Sequence, residues 1–163
     1  MIEIVNATSA EQVTTAGKLF FEYAASVKVS LCFENLDKEV TELPGMYAPP
    51  HGRLLLAQSG SHVAGCIALK KVDNDVCEMK RLFVREEFRG QGIGKKLTRA
   101  IWEEALALGY KRMRLDTLPS MKEAIAMYRS LGFQPIPPYR ELPVPGALFM
   151  EVELNRTLYS QES

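Results

Sequence analysis

The chain has 163 residues, 47% hydrophobic and 25% charged, enough for a globular domain that buries roughly 70% of the surface its unfolded form exposes. Twenty basic residues balance twenty acidic ones, so no global field selects nucleic acid or an anionic membrane, and any steering of ligands is local. No apolar run approaches the roughly 20 residues of a membrane span, and MIEIVNATSAEQ lacks a basic region followed by an apolar one, so the expectation is one domain over residues 1–163, in the cytoplasm.

Ile2 to Val5 reads as a short strand. Ser9 with Gln12 fits a capping box, and Val13, Ala16, Phe20, Tyr23 and Ala24 then recur at helical spacing. From Lys28 to Pro50 the periodicity blurs: Glu34, Asp37, Glu39 and Glu42 precede LPGMYAPP, whose prolines break regular structure. RLLLA (53–57) and VAGCIALK (63–70) flank the polar turn QSGSH as a hairpin, and VDNDV leads to a third antiparallel strand from Cys77 to Val84. Cys32, Cys66 and Cys77 have no C-x-x-C or His-paired spacing, so neither a disulfide framework nor a metal site is expected. His51 and His62 read as solvated loop residues.

After that strand the glycines of R-G-Q-G-I-G-K dominate. Gly90, Gly92 and Gly94 have no Cβ, so backbone N–H groups can approach a ligand closely, and from Ile93 the apolar spacing becomes helical. The turn therefore lies at a helix N-terminus, where unpaired donors and the dipole favour a phosphate. A P-loop fails, because position 89 is Arg and Lys95 is followed by Lys96 rather than a hydroxyl; the dinucleotide fingerprint fails in both registers. The pattern [QR]-x-x-G-x-[GA] is met by Arg89, Gly92 and Gly94.

A helix from Gly92 to Leu108 follows, with Ile93, Leu97, Ile101, Ala105 and Leu108 on one face and Gly109 as its stop; the strand Arg112 to Thr117 can then run parallel to the previous one. Pro119 and a second capping box, Ser120 to Glu123, predict another helix that ends at Gly132. Five prolines from Pro135 to Pro145, Pro143 among them, exclude a central strand there, and ALFMEVEL alternates as a last strand.

The strand EMKRLFV, the glycine turn and the helix AIAMYRSLGF together resemble the GNAT superfamily of N-acetyltransferases. The resemblance implies an α/β GNAT fold, a mixed central sheet of six to seven strands with helices on both faces. It implies acetyl-CoA as acyl donor and no metal, with the pyrophosphate on the turn (Arg89, Gly90, Gln91, Gly92, Ile93, Gly94, Lys95) and the pantetheine arm along the backbone of Leu82, Phe83 and Val84. Ala124 falls on the same side. Where many relatives carry an asparagine contacting the cofactor, this chain has Met121, and the resemblance then implies Thr117 or Ser120 as its substitute. Glu78 matches the position of a general base, against the alternative of a strand carboxylate paired with Lys80 or a neighbouring arginine. Tyr128 matches the tyrosine that protonates the leaving thiolate, against the alternative of a core aromatic.

The expected activity is acetyl transfer to a primary amine by direct attack in a ternary complex. Glu34 and Asp37 would suit the cationic amine and Tyr139 and Arg140 a carboxylate, which together favour a small amino-acid-like acceptor. The alternatives are a non-catalytic acyl-CoA sensor or interaction module, or a protein lysine or N-terminal acetyltransferase. No nucleic acid or membrane partner is expected, and a homodimer is compatible with the sequence.

Overall fold

The structure, a computed structural model, describes residues 1–27, 35–142 and 144–155; Cys32, Glu34 and Pro143 lie outside them. The first capping box closes in both directions: the Gln12 N–H donates to Ser9 Oγ at 3.1 Å and the Ser9 N–H to Gln12 Oε1 at 3.0 Å. It starts helix α1 (Ala10–Val27), which follows strand β1 (Ile2–Asn6). The blurred region contains a six-residue helix, α2 (Leu36–Thr41), and a 3-10 turn at Gly45–Tyr47.

Strands β2 (Arg53–Ser59), β3 (His62–Lys71) and β4 (Val76–Val84) form the expected meander, extended by one or two residues at each turn because the tight turn at Gly60 lets pairing run to Ser59 and His62. Helix α3 (Ile93–Ala107) connects β4 to β5 (Arg112–Thr117), which run parallel, and α4 (Lys122–Ser130) leads to the two-residue β6 (Gln134–Pro135) and to β7 (Leu148–Glu153). The sheet has seven strands in the order β1-β2-β3-β4-β5-β7-β6. Pro135 sits on the outermost strand, where a missing N–H costs no ladder bond.

Two apolar layers enclose the sheet. Leu55, Ile67, Leu69, Met79 and Leu115 pack beneath Leu97, Ile101 and Trp102 of α3 and Tyr128 of α4, while Leu54, Leu56, Cys66, Ala68 and Phe83 meet Ala16, Leu19 and Phe20 of α1 and Leu36 of α2. The free thiols of Cys66 and Cys77 are buried, and burial pushes both well above the usual thiol range. Among the described residues no helix is long and apolar enough to cross a membrane.

Two local expectations change. The second capping box does not form: α4 begins at Lys122 with Met121 as N-cap and no side-chain cap. The reason is the preceding turn, in which the Met121 N–H donates to Leu118 C=O at 3.0 Å, placing Pro119 and Ser120 at its centre. Phe149, which alternation sets on the same side of β7 as Glu151 and Glu153, is buried because the Tyr139 ring meets it edge-on, centroids 4.9 Å apart.

The feature that shapes the site lies in β4. Cys66 pairs with Phe83 and Ala68 with Lys80, so Ile67 faces two residues, Arg81 and Leu82, across a bulge. Arg81 takes a left-handed φ of 62°, uncommon for a side-chain-bearing residue. Pairing of β4 with β5 runs only from Val76↔Arg112 to Glu78↔Arg114, and beyond that the two strands have no ladder between them.

Candidate active site

A cleft of about 1520 Å³ opens where β4 and β5 part. One limb is walled by Leu82, Phe83 and Val84, the glycine turn, Thr117 and the start of α4; the other by Tyr23, Glu39, Lys70, Lys80, Arg81, Asp116 and Arg140. At the mouth of the first limb the chain crosses into α3 through Gly90 (φ 82°) and Gly92 (φ 75°), conformations that cost an L side chain roughly 1–2 kcal/mol. A Cβ at either would meet no atom within 4 Å, so the glycines serve conformation and close approach rather than packing. The Lys96 N–H makes the first helical bond, to Gly92 C=O at 3.1 Å, and the amides of Ile93, Gly94 and Lys95 have no helical acceptor. Open space, free amides and Lys95 fit a pyrophosphate.

Of the residues expected to hold the donor, Leu82, Phe83, Val84, Arg89, Gly90, Gly92, Ile93, Gly94, Lys95, Thr117, Ser120 and Ala124 all line this limb, and Gln91 does not. Arg89 is partly committed to the turn: its Nε donates to Val84 C=O at 3.0 Å and its guanidinium lies 6.0 Å from the Phe83 ring centroid. Met121 receives the Tyr23 hydroxyl at 3.8 Å and the Thr117 hydroxyl at 3.5 Å on its sulfur, so its thioether draws α1 and β5 together at the cleft.

Tyr128 lines the same limb and is 5% exposed, its ring packed at 5.6 Å and 58° against Phe133. The hydroxyl makes no hydrogen bond to another described residue. Burial first, then Tyr23 and Asp116, push the phenol far above its ordinary range, so it keeps its proton.

Glu78 is 1% exposed and does not line the cleft. Its carboxylate accepts from the Tyr139 hydroxyl at 3.3 Å and faces Arg114 at 3.5 Å, Arg140 at 3.7 Å and Lys80 at 3.8 Å. Tyr139 does not line the cleft either; Arg114 stacks on its ring at 3.7 Å. Arg140 lines the cleft but is already paired with Asp116. Asp37 is exposed on α2 outside the cleft, and Glu34 lies outside the described residues.

Sequence reasoning passed over two features of the acceptor limb. The first is an ion pair from α2 to the bulge: Arg81 Nε and Nη2 reach Glu39 at 2.9 and 2.8 Å, with the Tyr47 hydroxyl on the same carboxylate at 3.1 Å. Burial alone would raise the Glu39 carboxyl, but Arg81 and Tyr47 outweigh it and hold the group below its usual range. The second is the place of Lys80 in the cleft: the sequence offered it only as a partner for Glu78, and its ammonium is pushed down to about 8 by burial and then by Arg81, with Glu78 opposing. The period of two that places Glu78 and Lys80 on one face was available in the sequence; the bulge after Lys80, beside which that side chain alone of the two opens on the cleft, was not. Among the described residues no group of His, Cys, Asp and Glu side chains could hold a metal ion.

Comparison with known proteins agrees with this geometry. The profile of the acetyltransferase (GNAT) family matches residues 21–133. An uncharacterized N-acetyltransferase of Schizosaccharomyces pombe is 37% identical over 137 residues, which span 83% of this chain and 84% of that protein. An acetyltransferase from Streptococcus agalactiae superposes with a TM-score of 0.77 at 20% identity over 92% of this chain and 96% of its own. A GNAT family acetyltransferase from Elizabethkingia anophelis, solved with acetyl-CoA bound, gives 0.62 at 22% identity over 93% and 97%. The chain belongs to the GNAT acetyltransferase family and is an acetyl-CoA-dependent N-acyltransferase.

Proposed function

We propose that the enzyme transfers the acetyl group of acetyl-CoA to the primary amine of a small amino-acid-like molecule, by direct attack while both are bound. The observation that carries this is the single continuous cleft, with a pyrophosphate cradle at one end and a charged recess at the other. Acetyl-CoA, when bound, supplies an activated thioester. The amides of Ile93 to Lys95 would hold its pyrophosphate, and the unladdered edge of β4 at Leu82 to Val84 would pair with its arm as an added strand does. Tyr128 would donate its proton to the departing sulfur. The Glu39–Arg81 pair and Arg140 bound the acceptor limb, which favours a small molecule over a protein segment.

Both strand edge and recess open into the same cavity, so the amine can reach the acyl group without a covalent enzyme intermediate. Thiol release measured over a grid of acetyl-CoA and amine concentrations should therefore give intersecting reciprocal lines; parallel lines would mean an acyl-enzyme and defeat the ternary complex. A panel of amino acids, polyamines, aminoglycosides and lysine peptides tests the acceptor. Acetyl-CoA at about 100 times its Kd should stabilise the fold by roughly 2.7 kcal/mol. Stabilisation with no turnover across the panel would favour the sensor alternative.

The donor end makes its own prediction. Gly92→Ala should cost roughly 1–2 kcal/mol in urea denaturation, since a left-handed φ is retained without any clash. It should raise KM for acetyl-CoA while leaving acceptor KM unchanged; an unaltered donor KM would remove the turn from the binding site.

A further inference from the structure

The acceptor limb holds cations that its carboxylates do not fully match, and the contacts identify which are spare. On the sheet face toward α1 and α2, Lys70 of β3, Glu78 of β4 and Arg114 of β5 stand in one row by register, and Lys80, paired in register with Ala68, is the diagonal neighbour of Lys70. Arg114 is fixed on Tyr139 at 3.7 Å and on Glu78 at 3.5 Å. Arg140 is held by Asp116, and Arg81 by Glu39. Among the described residues Lys80 has one ion-pair partner, Glu78 at 3.8 Å, and shares it with both Arg114 and Arg140. Lys70 lines the same cleft and forms no ion pair with a described residue. Among the described residues the remaining carboxylates that line the cleft, Glu123 at the start of α4 and Glu141, are both exposed.

An ammonium removed from water beside other cations gains most from an anion of its own. The Lys80 side chain is 12% exposed yet opens on the cleft, so an anion that reached it would exchange little water for a strong charge-assisted contact. Lys80 also stands two residues before Leu82 on β4, across the bulge at Arg81, so the two are no further apart than the roughly 7 Å that an extended strand would give at about 3.3 Å per residue. That spacing suits a short molecule with its acid at Lys80 and its amine toward the donor limb, and it does not suit an extended polyamine.

Building on the acceptor class proposed above, we infer that the acceptor is an anionic amine, of the acidic amino acid type, and that Lys80 together with Lys70 holds its carboxylate and sets specificity. This replaces Tyr139 and Arg140 as the carboxylate-gripping residues, because both already serve Glu78 and Asp116. The role is one of positioning the acceptor, so its signature is a change in acceptor KM at constant donor KM.

The test follows thiol release from acetyl-CoA with glutamate and aspartate, with alanine, and with putrescine and spermidine. Wild-type enzyme should show kcat/KM for an acidic amino acid about tenfold or more above alanine, with the polyamines lowest. Lys80→Met should raise KM for the acidic acceptor about 10–100-fold without changing KM for acetyl-CoA, Lys80→Arg should retain most of the affinity, and Lys70→Ala should cause a rise of about 3–10-fold. Polyamine preference, or an acceptor KM untouched in Lys80→Met, would overturn the inference while leaving the acceptor class itself standing. If Lys80→Met does not fold, Lys70→Ala and Lys80→Arg decide by the same criterion. No thiol release with any of these amines, from enzyme that acetyl-CoA still stabilises, would overturn the acceptor class and the inference with it.

Discussion

Tyr128→Phe should lower kcat about 100-fold and leave the folded state as stable as before. The ring is what the core uses: it packs on Phe133 with centroids 5.6 Å apart, and Phe preserves that contact. The hydroxyl, by contrast, satisfies no described partner, so its loss orphans nothing in the protein. What disappears is a proton donor facing the cleft. Burial opposes a tyrosinate and a thiolate alike, so the raised phenol is still matched to a leaving thiolate in the same pocket. A positioned general acid contributes typically 10²–10⁴-fold, and the lower end is expected because a thiolate leaves readily unaided. The phenol does not titrate in the working range, so the loss should be uniform from about pH 6 to 9. It should appear equally in kcat and kcat/KM, as for an interaction made only in the transition state. Full turnover by a folded, acetyl-CoA-binding variant would reduce Tyr128 to the core residue that the stripe Ala124, Ile125, Tyr128 and Leu131 describes.

The donor half of this protein was legible in the sequence for a physical reason. A phosphate cradle is made by backbone, and backbone geometry there depends on a few local glycines, so Gly90, Gly92 and the switch to helical spacing at Ile93 carry the information within one turn of chain. The meander and the β4-α3-β5 crossover were equally local, read from period and turn residues. The acceptor half is assembled from β3, β4, β5, α2 and the loop after β6, and its character depends on which charges meet across them. The pairing of Glu78 with Lys80 or a neighbouring arginine could be offered as an alternative, but the sequence contains no sign that Arg114 and Arg140 converge on that one carboxylate together with Lys80. Nor could a bulge opposite Ile67 be read from MKRLF, since a non-glycine at φ 62° has no compositional mark. Ser120 shows the converse error: a capping pattern was present, and the Leu118–Met121 turn used the residue first.

Glu78→Gln should destabilise the protein by about 2–4 kcal/mol, the largest stability effect expected of any single exchange in the cleft region. Glu78 is 1% exposed and is the shared anion of Lys80, Arg114 and Arg140. Breaking a buried pair from one side typically costs about 3–5 kcal/mol, and the lower figure applies because Arg140 reaches solvent and keeps Asp116. Urea denaturation should show a lower midpoint at unchanged slope. Glu78 also holds the Lys80 ammonium up against burial and Arg81, so without it Lys80 should lose its proton below about 8. The acceptor KM should then rise at neutral pH. Exchanging Lys80 for Met in the same chain should recover part of the lost stability, because it removes a cation whose partner has gone, a coupling that a double-mutant cycle measures directly. The general-base role for Glu78 demands the opposite pattern: stability kept, acceptor KM kept, and kcat/KM lost chiefly at low pH, where a free amine is scarcest. A carboxylate that is buried outside the cleft and already engaged by a Tyr139 hydroxyl and three cations is not placed to meet an amine, so the expected result is that the charge of Glu78 holds the recess together and catalysis falls only as far as Lys80 is lost.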